Sequence, residues 1–256
     1  MFRITPDGTI RDVSLPLTGE RTVPGLRQEN YWYRRHQVAY VAAAALCRGA
    51  RVLDAGAGEG YGAATVRAVG AATVVALDYD AAATGHLRGT YGLPAVRGNL
   101  VALPFAAAAF DVVLGMQTIE HLWDQAGFVA ECARVLAPGG RLVLTTPNRR
   151  TFPPGNPFHS RELTAADLTA LVTRAPLRVD TLVGLRHGPR LDAYRGDLVA
   201  DQLATGPDEW SAALASVVAG VTAEDFVLSP DDVDGCLDLY LVAVRARLGS
   251  GAVCAS

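Results

Sequence analysis

The residues best able to do chemistry begin with one short run, Val52-Leu53-Asp54-Ala55-Gly56-Ala57-Gly58-Glu59-Gly60-Tyr61-Gly62. An apolar stretch ends in an acid, and alternating glycines follow. Glycine permits unusual φ and lets a ligand lie against bare backbone. A helix starting just beyond would offer free N–H groups. Gly58-x-Gly60-x-x-Ala63 also fits the dinucleotide register, so the loop alone does not separate a nicotinamide cofactor from another nucleotide ligand. A second apolar run ends at Asp78. An acid there can accept two hydrogen bonds from a ribose diol, which suits an adenosyl nucleotide in either reading.

Downstream, "QTIEHLWD" (117–124) brings Glu120, His121 and Asp124 together. Histidine is the natural side chain to take a proton from a hydroxyl near neutral pH, so His121 is the expected base. The competing reading is a purely structural turn. Glu120 can orient the site or bind acceptor hydroxyls; Asp124 can orient His121 or cap a helix. Asn148 in "TTPN", His159 and Arg161 in "NPFHSREL" (156–163), and His187 and Arg190 in "RHGPR" (186–190) are candidate acceptor contacts. Each can equally be a loop-packing residue. Such donors suit a polyhydroxylated or anionic acceptor, whereas a flat aromatic one wants an apolar pocket. Carboxylate and His groups on one edge can also hold a divalent ion that acidifies a hydroxyl. No ligand spacing singles that out.

The elements must bring these groups to one edge. Strands are expected at 51–56, 73–78, 94–98, 110–116, 141–147, near 178–186 and at 237–246. Helices are expected at 29–47, near 60–70 and 80–90, at 122–137 and at 164–175. Continuous apolar strands alternating with helices predict a doubly wound, mostly parallel α/β sheet covered on both faces. Residues 1–47 read as a tail followed by a helical lid, 48–246 as the catalytic domain with a helical insertion at 190–226, and 247–256 as a C-terminal tail.

Composition bounds the partners. A net charge of −3 gives no nucleic-acid surface. All basic residues are Arg, so lysine catalysis is excluded. The four cysteines are scattered, and neither a secretory core nor a run of ~18 apolar residues is present. The expected location is the cytoplasm, with no membrane span.

In this order, "VLDAGAGEG", "VVALDYD", "GNLVALPFAAAAFDVVLGMQTIEHL" and "RVLAPGGRLVLTTPN" resemble the motifs of the class I S-adenosylmethionine-dependent methyltransferases. The resemblance implies a Rossmann-like sheet of seven strands, the last antiparallel. It implies that Asp54 holds the methionine part of the cofactor, that Gly56 and Gly58 let the backbone pass it, and that Asp78 binds the ribose. Tyr79 would lie on adenine, Asn99 would meet the adenine amino group where relatives often have Asp, and Gln117 would sit beside the sulfonium. The out-of-class alternative, a nicotinamide oxidoreductase, would need a hydride-transfer site, and nothing past residue 150 offers a clear candidate. A catalytically silent binding module is the third reading.

The N-terminal "TGERTVP" and the aromatic-basic "ENYWYRRHQVAY" resemble methyltransferases encoded with polysaccharide and glycolipid pathways. With "TPNRRTF", "NPFHSREL" and "HGPRL" they resemble the sugar 1-O-methyltransferases of methylmannose polysaccharide biosynthesis. As a functional element the N-terminal segment closes over the cofactor, with Tyr33 and Arg35 covering it and Glu20 and Arg21 helping to hold the acceptor; the competing reading is an amphipathic helix packed on the sheet. The resemblance implies a small saccharide acceptor, the reducing-end 1-OH of a short 3-O-methylated α-1,4-mannoside. It also implies a homodimer, with Mg2+ as a candidate metal. The in-class alternative is a lipid, quinone or other small-molecule oxygen.

Overall fold

The computed structural model describes residues 2–4, 10–12, 15 and 21–247. Eight strands form the main sheet: β1 (Arg51–Ala55), β2 (Thr73–Asp78), β3 (Ala95–Arg97), β4 (Phe110–Met116), β5 (Leu136–Pro147), β6 (Leu177–His187), β7 (Phe226–Ser229) and β8 (Asp238–Arg245). Their order is β3-β2-β1-β4-β5-β8-β6-β7. The first five are mutually parallel, and β8 runs antiparallel to both β5 and β6. The chain reverses direction across the sheet between β1 and β4. In open α/β sheets that is where a ligand crevice opens at the carboxyl ends of the strands.

The strands are apolar on both sides because both faces are covered. Leu53, Val113, Leu142 and Leu144 pack with Phe128, Val129, Leu168 and Val172 of α4 (Gln125–Val135) and α5 (Ala165–Thr173). Their sequence neighbours Val52, Val112, Leu114 and Val143 face the other way. They meet Ala39, Tyr40, Ala43 and Cys47 of α1 (Asn30–Cys47), with α2 (Tyr61–Ala68) and α3 (Ala81–Tyr91) alongside. The spacing 39-43-47 is the i, i+4 stripe that keeps one helix face on the sheet.

Three features depart from the sequence expectation. β5 begins at Leu136 instead of 141: Leu136 pairs with Phe110, the register then shifts, and regular pairing resumes at Arg141 opposite Val112. The turn residues Pro138–Gly140 hid that extension. An eighth strand, β7, closes the insertion and pairs antiparallel with β6. Within 1–14, read as a tail, Phe2–Ile4 and Ile10–Asp12 pair antiparallel.

The insertion carries α6 (Pro189–Asp192), α7 (Leu198–Ala204) and α8 (Ala212–Gly220). Its Leu191, Leu198, Val199, Leu214 and Val218 form a third core around Tyr31 of α1 and Phe226 of β7. This anchors the insertion beside the sheet's carboxyl edge. Among the described residues, no helix is long and apolar enough to cross a membrane.

Candidate functional site

At the carboxyl edge lies a cavity of about 320 Å³, lined by the glycine loop, the loops after β4 and β5, the start of α1 and the insertion. The loop after β1 passes through three left-handed glycines, Gly56 (φ +88°), Gly58 (φ +54°) and Gly60 (φ +105°). Two of them also lack room for a side chain. A Cβ on Gly56 would lie 2.5 Å from Thr118 Oγ1, and one on Gly60 would lie 2.3 Å from Leu87 of α3.

Internal bonds fix this loop. The N–H groups of Gly56 and Ala57 donate to the Leu77 carbonyl (2.8 and 3.0 Å). Asp78 accepts from Gly58 N–H (2.8 Å) and Asp80 N–H (2.9 Å). Asp54 lies beneath the loop, fully enclosed, and accepts from Tyr40 Oη at 3.2 and 3.3 Å. Burial pushes its carboxyl up to about 7, against the opposing effect of the Tyr40 hydrogen bond. Asp54 therefore supports the cradle from behind and is not part of the cavity wall.

The segment before α1 crosses the loop. Arg21 donates to Asp80 at 2.7 Å, and the hydroxyls of Thr22 and Tyr61 are 3.0 Å apart. A side chain on Gly58 would meet Arg21 Cβ at 3.8 Å. Glu20 lies outside the described residues.

On the opposite wall, β4 ends in Gln117, a non-glycine residue with φ +49°, held by bonds from its N–H to the carbonyl and hydroxyl oxygens of Thr145 (both 3.0 Å). The turn Ile119–His121 follows. His121 Nδ1 is 3.0 Å from the Phe158 carbonyl. A carbonyl only accepts, so Nδ1 carries the proton and Nε2 keeps a free lone pair. Glu120 is 1 % exposed; its Oε2 is enclosed without a partner. Burial raises this carboxyl to about 8. The enclosed Thr146 hydroxyl partly opposes that rise. His159 stands with its ring centroid 5.0 Å from that of His121. Its Nδ1 faces Glu162 at 2.9 Å and its Nε2 faces Asn156 at 3.2 Å. Asp124 caps α4 by accepting from Gly127 N–H (2.8 Å), which settles its role in favour of the cap.

Seven side-chain N and O atoms are enclosed without a partner among the described residues, and five of them belong to residues lining this cavity: Arg21 Nη1, Arg35 Nη1, Glu120 Oε2, Gln202 Oε1 and Trp210 Nε1. Each such group costs roughly 1–3 kcal/mol if left unmet. Their concentration in one cavity marks the place where a polar ligand completes the protein. Arg35 shows how: Nε and Nη2 clamp Asp238 (2.6 Å each), which leaves Nη1 as a preoriented donor.

Of the residues singled out from sequence, Arg21, Arg35, Gly56, Gly58, Gln117, Glu120, His121 and His159 line the cavity. Asp78 lies half-buried and Tyr79 exposed at the end of β2, beside the glycine loop. The others are corrections. Asn148 is fully buried; its amide donates to the carbonyls of Asp234 (2.9 Å) and Cys236 (3.1 Å), and its oxygen accepts from Arg150 N–H. It fastens the loop after β5 to the strand beside it. His187 Nε2 is 2.7 Å from Tyr31 Oη, in the insertion's core. Arg190 pairs with Asp225 and Arg161 with Asp167, both away from the cavity. Tyr33 packs edge-on to Tyr61 at 5.0 Å and does not reach the cavity. Asn99 is the exception: like Tyr79 it is exposed beside the end of β2, and its oxygen, which accepts from Val101 N–H (3.0 Å), keeps a second lone pair.

Several cavity residues were not foreseen: Glu59, Phe152, Asn156, Gln202, Leu203 and Trp210. Glu59 had a signal, as a charge inside a glycine run. Gln202 and Trp210 had none, because the insertion carries no motif.

This strand order, with a left-handed glycine loop at the switch point and a following acid at the end of β2, defines a class I methyltransferase architecture. The chain belongs to the S-adenosylmethionine-dependent methyltransferases, and S-adenosylmethionine is its cofactor. A methyltransferase domain family matches residues 53–144. A Mycolicibacterium smegmatis protein described as a probable S-adenosylmethionine-dependent methyltransferase is 48% identical over 255 residues, covering 94% of this chain and 98% of that one. A ubiquinone biosynthesis O-methyltransferase from Thiobacillus denitrificans is 31% identical over 57% of this chain and 72% of its own. In fold, the chain is similar to an S-adenosylmethionine-dependent methyltransferase from Mesorhizobium loti (TM-score 0.56, 17% identity, 82% of this chain and 98% of that one).

Proposed function

We propose that the protein methylates a sugar hydroxyl, namely the reducing-end 1-OH of a short 3-O-methylated α-1,4-mannoside in methylmannose polysaccharide biosynthesis, as a cytoplasmic homodimer. The observation that carries the oxygen acceptor is the His121 geometry: Nδ1–H is committed to a backbone carbonyl, so Nε2 is free to take a proton. A neutral hydroxyl is a poor nucleophile, and a positioned base supplies ~10²–10⁴-fold. The unmet donors and acceptors around it favour an acceptor rich in hydroxyls over a quinol or lipid.

The cradle fits the cofactor: two of its three left-handed glycines, Gly56 and Gly58, line the cavity and leave backbone exposed there. Asp78 is the residue to hold the ribose and Tyr79 the one to cover adenine. When bound, the cofactor supplies an electrophilic methyl group. Gln117 and Arg35 help to orient the two reactants, and the Arg21–Thr22 segment with α1 excludes water. Glu120, uncharged near neutral pH, donates a hydrogen bond to an acceptor oxygen.

A divalent ion such as Mg2+ is the second reading. Glu120, His121 and His159 have ligand atoms within 4.8 Å of one another. Two imidazoles and a carboxylate suit a transition metal better than Mg2+. A His159 ligand would also have to give up Asn156 or Glu162.

The test is incubation with labelled cofactor and a panel of mannosides, glucosides, quinols and lipids, with and without chelator. Label in the mannosides, unaffected by chelator, is expected. Label confined to a quinol or lipid overturns the sugar assignment, and loss of turnover with chelator moves the proton to a metal site. Light scattering in solution checks the dimer.

A further inference from the structure

Two of the enclosed, unpartnered atoms come from the insertion and not from the methyltransferase sheet. Gln202 sits on α7, 5 % exposed, and its Nε2 donates to the Leu198 carbonyl at 2.6 Å. That bond fixes the amide's direction and leaves Oε1 as the surplus end. Trp210 follows the turn Pro207–Glu209 and packs its ring against the third core, as do Trp32 and Phe152. Its Nε1–H has no acceptor. All four side chains line the cavity. One face region of Trp32 is already covered by the Arg35 guanidinium, 5.3 Å from the ring centroid, which holds that indole in place.

The combination is selective. An enclosed acceptor and an enclosed donor remain unmet beside aromatic rings. A ligand with only apolar surface would leave both unmet, and an anion would meet the N–H but repel the Gln202 oxygen. A hydroxyl-bearing ring satisfies all of it: one O–H donates to Gln202, one oxygen accepts from Trp210, and the C–H face lies on the aromatic surface.

We propose that the insertion is the acceptor-selecting element of the enzyme, with Gln202 and Trp210 forming a subsite that grips a polyhydroxylated ring. This rests on the sugar reading above. Gln202 and Trp210 touch the acceptor away from the transferred methyl, so they set acceptor affinity and leave cofactor binding alone.

Trp210→Phe keeps the aromatic face and removes the N–H; Gln202→Met keeps the volume and removes the amide oxygen together with the Nε2 bond to Leu198. With a 3-O-methylated α-1,4-mannobiose as acceptor, each is expected to raise the acceptor KM about tenfold, the worth of one hydrogen bond in an enclosed site. The kcat, the cofactor KM and the calorimetric affinity for S-adenosylhomocysteine should stay within about twofold. Tryptophan fluorescence should respond to the mannobiose in the wild type, and less so in Trp210→Phe. If wild-type enzyme methylates the mannobiose and both variants keep its acceptor KM, the subsite is wrong and the sugar reading stands. If wild-type enzyme methylates no sugar but does methylate a quinol or lipid, the sugar reading falls and takes the subsite with it.

Discussion

The two ends of the cavity are built on opposite principles. At the cofactor end every acid has its partners within the protein: Asp54 has Tyr40, Asp78 has two backbone amides, and Glu59 has His86 Nε2 (2.8 Å) and Tyr91 Oη (2.7 Å). At the acceptor end Glu120, Arg35, Gln202 and Trp210 keep polar atoms unmet, against a single one, Arg21 Nη1, beside the glycine loop. A cradle nearly complete before its ligand arrives holds a cofactor common to many enzymes and loses little freedom on binding. A wall left incomplete discriminates, because a ligand lacking the right hydroxyls leaves enclosed groups unsatisfied.

The sharpest way to break this contrast is to remove the base. His121→Ala should lower kcat by at least ~10²-fold. Its calorimetric affinity for S-adenosylhomocysteine should match wild type, because His121 belongs to the acceptor end. Near-normal turnover would transfer the proton to His159 or to a metal-bound water.

Titration distinguishes the ends next. Asp54 and Glu120 are both buried acids raised to about 7 and about 8. Burial disfavours the charged form, so each group's contribution is fully present below the unfolded carboxyl value near 4 and is lost as pH rises through the folded value. The ligand-free protein should therefore lose stability progressively between pH 5 and 8, on the order of a few kcal/mol per acid, and melt at correspondingly lower temperature. Asp54→Asn should flatten the part of that decline ending near pH 7, and Glu120→Gln the part ending near pH 8. S-Adenosylhomocysteine should reduce the Asp54 part more than the Glu120 part, because Asp54 supports the glycine loop proposed to hold the cofactor. A melting temperature that is flat across this range in wild type would show that neither acid is as dry as the structure makes it.

Legibility in the sequence follows the same division. Gly56, Gly58, Asp78 and the first five strands were readable because a strand, a tight turn and a helix start are consecutive in the chain and each demands particular residues. His121 was readable because it follows the fourth strand directly. The acceptor end is assembled by long-range packing, in which Trp32, Phe152 and the pair Gln202 and Trp210 come from three separate segments: α1, the loop after β5 and the insertion. No local rule joins them. The same blindness produced the errors: Asn148, His187 and Arg190 have the right chemistry and the right position in the chain, but Cys236, Tyr31 and Asp225, distant in sequence, already occupy them.

Within the cofactor end, Asp78→Ala should weaken S-adenosylhomocysteine about tenfold or more with little change in melting temperature. It removes the proposed ribose acceptor and releases the Gly58 and Asp80 amides together. The acceptor KM should move less than the cofactor KM.

The smallest effect belongs to a residue that chemistry alone would have favoured. Arg161 follows His159 by two residues in the chain, yet its guanidinium is largely solvent-exposed and faces Asp167 at 3.5 Å. An exposed pair of this kind contributes ~0–1 kcal/mol. Arg161→Ala should leave kcat and both KM values within about twofold, while adding salt should change the mutant's stability less than the wild type's. If instead the acceptor KM rose severalfold, the wall would extend past His159 to Arg161, and the acceptor would be longer or more anionic than the cavity requires.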